Sequence, residues 1–346
     1  RDVAPSRGLG DVYKRQGFRG LSMNVLEELK GAETVGITGH IRPDGDCIGS
    51  CMGLYSYLKD NCPQLDVTVY LETPGSEFHY IRDIDKIQTI PDIKKEYDVF
   101  FVLDCSSLDR IEPFHSCFEN AKKTVCIDHH ISNGSFADVN VVDAQASSAC
   151  EVLYRTLEDD KISKDTAACI YTGIVHDTGV FKYSSTSAQT MLIAGKMMEK
   201  GIDYSDIIDN SFYTKTYIQN QILGRALLES VLFYDGKCIF SLVTQDEMNF
   251  YGVTGRELGG IVEQLRLTEG VEVAIFLYQT GEEEYKVSLR SKKVIDVSKI
   301  AMHYGGGGHI RAAGFTANGA VHDIINNIGA RIEEQYNALS GAENVE

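Results

Sequence analysis

The chain has 346 residues, of which 43% are apolar and 24% charged, and its 50 acidic against 33 basic side chains give a formal net charge of −17. That apolar content can fill a full core and divide it between two domains. The acidic excess argues against a protein that coats long nucleic acid, because counterion release needs a broad Lys/Arg surface, whereas a small anionic substrate stays open if metal ions supply positive charge locally.

Residues 1–22 carry little apolar periodicity, and "SRGLGDVYKRQ" looks like translated library-adapter sequence, so they read as a non-native leader and are set aside. From Thr34 onward, "TVGITGH" (34–40), "DVTVYL" (66–71), "DVFFVLD" (98–104) and "KTVCID" (123–128) are short, nearly continuous apolar runs, as expected of strands covered on both faces. Between the first two lies "CIGSCMGLYSYLKD" (47–60), a helical stretch with Asp46 as its expected N-cap. Further helical patterns at 147–160, 165–175 and 187–200 complete an alternation that predicts a doubly wound α/β domain with a parallel sheet.

Residues 204–234 read as a helical connector. A strand at 237–244, a helical run near 256–267, a hairpin over 271–291 and an amphipathic helix near 320–338 then predict a second, smaller α/β domain. Nine cysteines without a Cys-x-x-Cys spacing point to reduced, buried thiols. No apolar run approaches the roughly 18–20 residues that cross a bilayer, and no secretory pattern is read, so the expected location is the cytoplasm.

The predicted strands end in polar residues, and a parallel sheet lines such ends along one rim, where ligands bind in open α/β sheets. The first is followed by His40, Asp44 and Asp46, the third ends in Asp104, the fourth in Asp128, His129 and His130, and Asp177 follows a helical run. Singly, each has a plainer reading: an Asp-Gly-Asp turn, a helix cap, a packed histidine. Independent turns, however, give no reason for carboxylate and imidazole donors at successive strand ends. His40, Asp44, Asp46, Asp104, His129 and Asp177 are too many for one ion with an open position and suit two, about 3.5–4 Å apart, as in phosphoryl displacement. Imidazole and carboxylate without thiolate suit Mn²⁺ better than structural zinc.

The ordered set "HIRPDGDCIGS", "VLDCSSLDR", "CIDHHIS", "HDTGVF" and "GGGGHIRAAGF" resembles the DHH phosphoesterase family with a DHHA1 C-terminal domain, over nearly all of residues 23–340. Within it the chain is most similar to the nanoRNase branch. The resemblance implies a catalytic domain at 23–203, a connector at 204–234 and a substrate-binding domain at 235–340. It implies two metal ions, with Asp104 and Asp177 bridging and Asp128 orienting a histidine, and His130 facing the scissile phosphate. It also implies substrate contacts from Arg290, Gly307, Gly308 and His309, the glycines providing close backbone approach and an anion-binding concavity. The implied activity is hydrolysis of short oligoribonucleotides to mononucleotides and of 3′-phosphoadenosine 5′-phosphate to AMP, by a chain that forms a monomer or a homodimer. Hydrolysis of cyclic di-AMP or linear pApA is the alternative, and a catalytically silent nucleotide-binding protein is the reading from another class.

Overall fold

The computed structural model describes residues 23–343; the expected leader at 1–22 lies outside them. The chain divides into two compact units between Thr214 and Lys215. In the first, β1 (Thr34–Thr38), β2 (Asp66–Tyr70), β3 (Val99–Leu103), β4 (Thr124–Asp128) and β5 (Val139–Val142) form a sheet in the order β2-β1-β3-β4-β5, every pair parallel. The central strands β3 and β4 are buried at every position, whereas edges β2 and β5 are partly exposed. Their sequences follow from this: "VFFVL" has no face to give to water, and "DVTVY" does. The strand "VNVV" at β5, short and interrupted by Asn140, was not foreseen and pairs with β4 from Val125↔Val139 to Asp128↔Val142.

The helix Gly45–Asn61 packs against the helix Lys164–Asp177 and approaches it most closely at Gly49 and Gly173. A Cβ on Gly49 would stand 2.6 Å from the Cys169 carbonyl oxygen, and one on Gly173 would stand 2.4 Å from Asp46 Oδ1. The two glycines therefore let the backbones approach and leave room for a buried carboxylate. Ile37, Leu54, Leu58, Phe101, Ile170 and Val175 fill the adjoining core, each contributing about 1.5–3 kcal/mol by burial.

Three expectations for local structure need correction. Asp44, not Asp46, caps the helix Gly45–Asn61, its side chain accepting from the amides of Asp46 and Cys47; both residues carry a capping signal, and the extended backbone of Asp44 decides between them. The helix expected over 147–160 is Ala149–Tyr154 followed by a 3₁₀ turn at Asp159–Lys161. The helical segment at 204–234 is several elements: a helix Tyr204–Ile208, a π-turn Asp209–Tyr213, a helix Tyr217–Leu228 and a strand Val231–Phe233.

In the second unit, β6 (Val231–Phe233), β7 (Cys238–Val243), β8 (Val273–Gly281), β9 (Glu284–Ser291), β10 (Gly307–His309) and β11 (Ala312–Asn318) form a mixed sheet ordered β10-β11-β9-β8-β7-β6. The hairpin is present as β8 and β9, its turn including Glu283 in the left-handed region at φ 53°. The helix Val321–Glu343 buries Ile324, Ile325, Ile328 and Ile332, a stripe at helical spacing. The glycine run is not an open loop: Gly307–His309 is the edge strand β10, paired antiparallel with β11. Among the described residues no helix is long and apolar enough to cross a membrane.

Candidate metal centre

The sheet order reverses between β1 and β3, and the crevice outside their carboxyl ends is the switch point at which α/β sheets bind ligands. His40 follows β1 and is 6% exposed; Asp104 follows β3 and is 2% exposed; His129 and His130 follow β4. Asp177 ends the helix Lys164–Asp177, whose close approach to Asp46 was set by the facing glycines.

His40 Nδ1–H donates to the Ile41 carbonyl at 2.8 Å, which leaves Nε2 as the ring's free donor atom. That Nε2 is 3.7 Å from Asp44 Oδ2 and 3.4 Å from Asp104 Oδ2. The other oxygen of Asp104 is 3.5 Å from His129 Nε2 and 3.6 Å from His130 Nδ1. His129 Nε2 also stands 3.2 Å from Asp177 Oδ2 and 3.9 Å from Asp46 Oδ2. Asp104 is thus placed among three imidazoles, one oxygen toward His40 and the other toward His129 and His130. It adopts this position in the left-handed backbone region, at φ 52°, where a non-glycine residue is held only by its surroundings.

Electrostatically the cluster is an anionic basin short of positive charge. Asp104 Oδ1 is buried and has no hydrogen-bond donor among the described residues, a condition that costs about 1–3 kcal/mol or more for a charged group. Burial works against a charged His40, but the carboxylates of Asp104 and Asp44 outweigh it and hold the ring up at about 12. For His129, burial is likewise outweighed, by Asp104 and Asp177, and its value is also about 12. Burial, with Asp104 adding to it, lifts Asp177 to about 6 against the pull of His129. Burial and the neighbouring Asp104 and Asp177 push Asp46 well above the carboxylate range. Protons on the imidazoles are doing what a divalent cation would do better, so carboxylate oxygens and imidazole nitrogens fit a hard or borderline ion.

All six expected ligands meet at this rim, though not on equal terms. Of the sets of three close donor atoms, Asp46–His129–Asp177 is made of expected ligands, Asp104–His129–His130 brings in His130, expected at the phosphate and not at an ion, and His40–Cys47–Asp104 brings in Cys47. Burial raises the Cys47 thiol well above its usual range, and its Sγ faces the His40 carbonyl at 3.8 Å. Oxygen and nitrogen therefore remain the donors. Asp44 uses Oδ1 to cap its helix and turns only Oδ2 to His40.

Asp128 is 0% exposed, and its histidine partner is His130 and not the expected ligand His129: Nδ1–H of His130 donates to Asp128 Oδ1 at 2.7 Å. Asn133 Nδ2 donates to the other carboxylate oxygen, also at 2.7 Å, a contact sequence reasoning missed. Burial opposes ionisation of Asp128, yet His130 and Asn133 outweigh it and lower its pKa. In return Asp128 raises that of His130, against the effect of burial. His176, beside Asp177, is engaged elsewhere: Nε2 meets Ser211 Oγ at 3.0 Å, and the ring packs on Phe78 and Phe212.

In the second unit the register sets His309, Ala312 and Arg290 in one cross-strand row. Gly307, Gly308 and His309 are exposed. Arg290 is half-buried, its Nε donating to Glu263 Oε1 at 2.5 Å and Nη1 to the Leu289 carbonyl at 3.0 Å, so part of its fork is already engaged.

Residues 34–174 match the DHH family, N-terminal domain, and residues 235–335 match the DHHA1 domain. A probable bifunctional oligoribonuclease and PAP phosphatase NrnA of Streptococcus mutans is 27% identical over 299 residues, 84% of this chain and 91% of that protein. The corresponding bifunctional protein of Thermus thermophilus is 28% identical over 305 residues, 85% of this chain and 88% of that one. Among solved structures, an exopolyphosphatase-related protein from Bacteroides fragilis superposes with a TM-score of 0.82 at 26% identity, covering 91% of this chain and 96% of that one.

Proposed function

We propose that this chain, a DHH-family phosphoesterase joined to a DHHA1 domain, is a divalent-metal-dependent enzyme that hydrolyses short oligoribonucleotides to mononucleotides and 3′-phosphoadenosine 5′-phosphate to AMP. The relatives that match over most of its length bear names for those two activities. The observation that carries the reading is the buried carboxylate of Asp104, one oxygen toward His40 and the other, without a donor, toward His129 and His130.

His40, Asp44 and Asp104 would hold one ion, and Asp46, Asp104, His129 and Asp177 a second, with Mn²⁺ suited to these donors. Bound there, such ions supply the positive charge and the acidified water that displacement at phosphorus requires. Asp104, whose two oxygens face His40 on one side and His129 and His130 on the other, would be shared by both ions; a second shared carboxylate would have to come from Asp177, which stands 3.2 Å from His129. Asp128 accepts a hydrogen bond from His130 Nδ1–H, which leaves Nε2 for the substrate. The raised pKa of His130 favours the imidazolium, the form that can stabilise charge on the phosphate or give a proton to the leaving oxygen.

In the second unit, Arg290 and His309 flank Ala312 and would contact the nucleotide, with Gly307 and Gly308 admitting it close to the backbone. The free cysteines, all buried except the half-buried Cys62, suit a reducing cytoplasm. Light scattering of the purified chain decides between monomer and homodimer. The substrate reading is tested by offering the Mn²⁺-loaded protein 3′-phosphoadenosine 5′-phosphate, di- to pentanucleotide RNAs and an RNA of two dozen nucleotides. The small substrates are expected to be consumed first; preferential attack on the long RNA would contradict the proposal.

A further inference from the structure

Glu151 is 0% exposed, and none of the chemistry above uses it. A carboxylate buried that fully needs an ion pair and hydrogen bonds. Arg155, one helical turn on, pairs with Oε1 and also with Asp143. Three other donors converge on Oε2: the Ser147 amide at 3.2 Å, Ser147 Oγ at 2.6 Å and Thr190 Oγ1 at 2.7 Å. One oxygen thus carries the ion pair, and the other holds Ser147 in the turn that leads into the helix Ala149–Tyr154.

That turn delivers its next two amides to the metal centre. The Ala149 N–H donates to Asp46 Oδ2 at 2.5 Å and the Cys150 N–H to Asp46 Oδ1 at 3.0 Å. Both oxygens of Asp46 are therefore aimed by backbone whose own position depends on Ser147, and so on Glu151. We propose that Glu151 is a positioning residue for the divalent-ion centre: through Ser147 it sets the amides of Ala149 and Cys150, which orient Asp46 toward His129 and Asp177. The proposal rests on the two-ion reading. Groups that orient a ligand typically contribute about 10–100-fold to metal affinity.

The chain's own chemistry separates positioning from bulk stability. Glu151→Gln can keep an oxygen at the Ser147 side while losing the Arg155 ion pair. Thr190→Val removes one bond to Oε2 without touching the turn. Ser147→Ala loosens the turn and leaves the ion pair intact. Calorimetric titration of the metal-free full chain with Mn²⁺ should show Ser147→Ala and Glu151→Ala weakening one of two ions by about 10–100-fold. Glu151→Gln and Thr190→Val should melt earlier yet bind both ions like the parent. On the metal-free protein, hydrogen exchange at Ala149 and Cys150 should quicken in Ser147→Ala but not in Thr190→Val. Parent-like binding of both ions by Ser147→Ala, or unchanged exchange at the two amides, overturns the proposal; Ser147→Ala decides alone if Glu151→Ala does not fold. A parent chain that binds fewer than two ions refutes the two-ion reading instead, and the exchange rates then decide on Glu151.

Discussion

The carboxyl rim of the first sheet and the glycine-rich edge of the second hold the residues a phosphoesterase would use, and they are built in opposite ways. At the rim, Asp46, Asp104 and Asp128 are at most 2% exposed, and His40, His129 and His130 contact their carboxylates. At the edge, Gly307, Gly308 and His309 are exposed on a three-residue strand. Ligands to a divalent ion must be desolvated and aimed before the ion arrives, which takes neighbouring structure to enforce. Groups that meet a nucleotide can stay hydrated until it binds, at an entropic cost then.

The comparison breaks most visibly at Asp104. Asp104→Ala removes the carboxylate that His40, His129 and His130 share, and bound Mn²⁺ per chain should fall in elemental analysis while turnover drops on the order of 10⁴-fold. His130→Ala should lower kcat by about 10²–10³-fold and leave metal content intact; loss of both ions would make His130 a structural ligand instead. Gly173→Ala tests how tightly the rim is enclosed, because its methyl would press on Asp46 Oδ1 and Cys150 Sγ. It should destabilise the fold by about 1–3 kcal/mol in chemical denaturation and weaken Mn²⁺ binding as well.

At the exposed edge the expected signature differs. Arg290→Ala should raise KM for 3′-phosphoadenosine 5′-phosphate by about tenfold with kcat and metal content unchanged. Asp98, at the other end of the first sheet, is a control on location. Its carboxylate accepts from Lys122 Nζ at 2.7 Å and from the amides of Glu33 and Thr34 at 2.8 and 3.0 Å, and these hold its pKa below the carboxylate range. A depressed folded pKa stabilises above the unfolded value, about 3.9, and that contribution fades as pH falls through the folded one. Asp98→Asn should therefore lower Tm most above about pH 5, with the difference from the parent narrowing steadily as pH falls below about 4, and leave Mn²⁺ binding alone.

The rim was readable in the sequence because each donor stands where an apolar run stops, so strand periodicity alone carries Asp104, His129 and the His40 loop to one edge. The partner of Asp128 was not readable: two adjacent histidines leave a strand in different directions, and only the backbone beyond β4 decides which ring meets the carboxylate. The cap falls on Asp44 and the full burial on Asp46, two residues apart, too fine a distinction for composition. Asn133, Glu151 and the Arg290–Glu263 pair depend on contacts that tertiary packing creates. The His309–Ala312–Arg290 row exists only through strand register, and the π-turn at Asp209–Tyr213 interrupts a segment whose apolar spacing is helical throughout.

The central claim is that the first sheet's rim holds divalent ions for phosphoester hydrolysis. Titrating the metal-free chain with Mn²⁺ while following phosphate release from 3′-phosphoadenosine 5′-phosphate tests it directly. Turnover should be absent at the start, rise as ions bind and saturate at two per chain; equal turnover in excess chelator, or none at saturation, would contradict it.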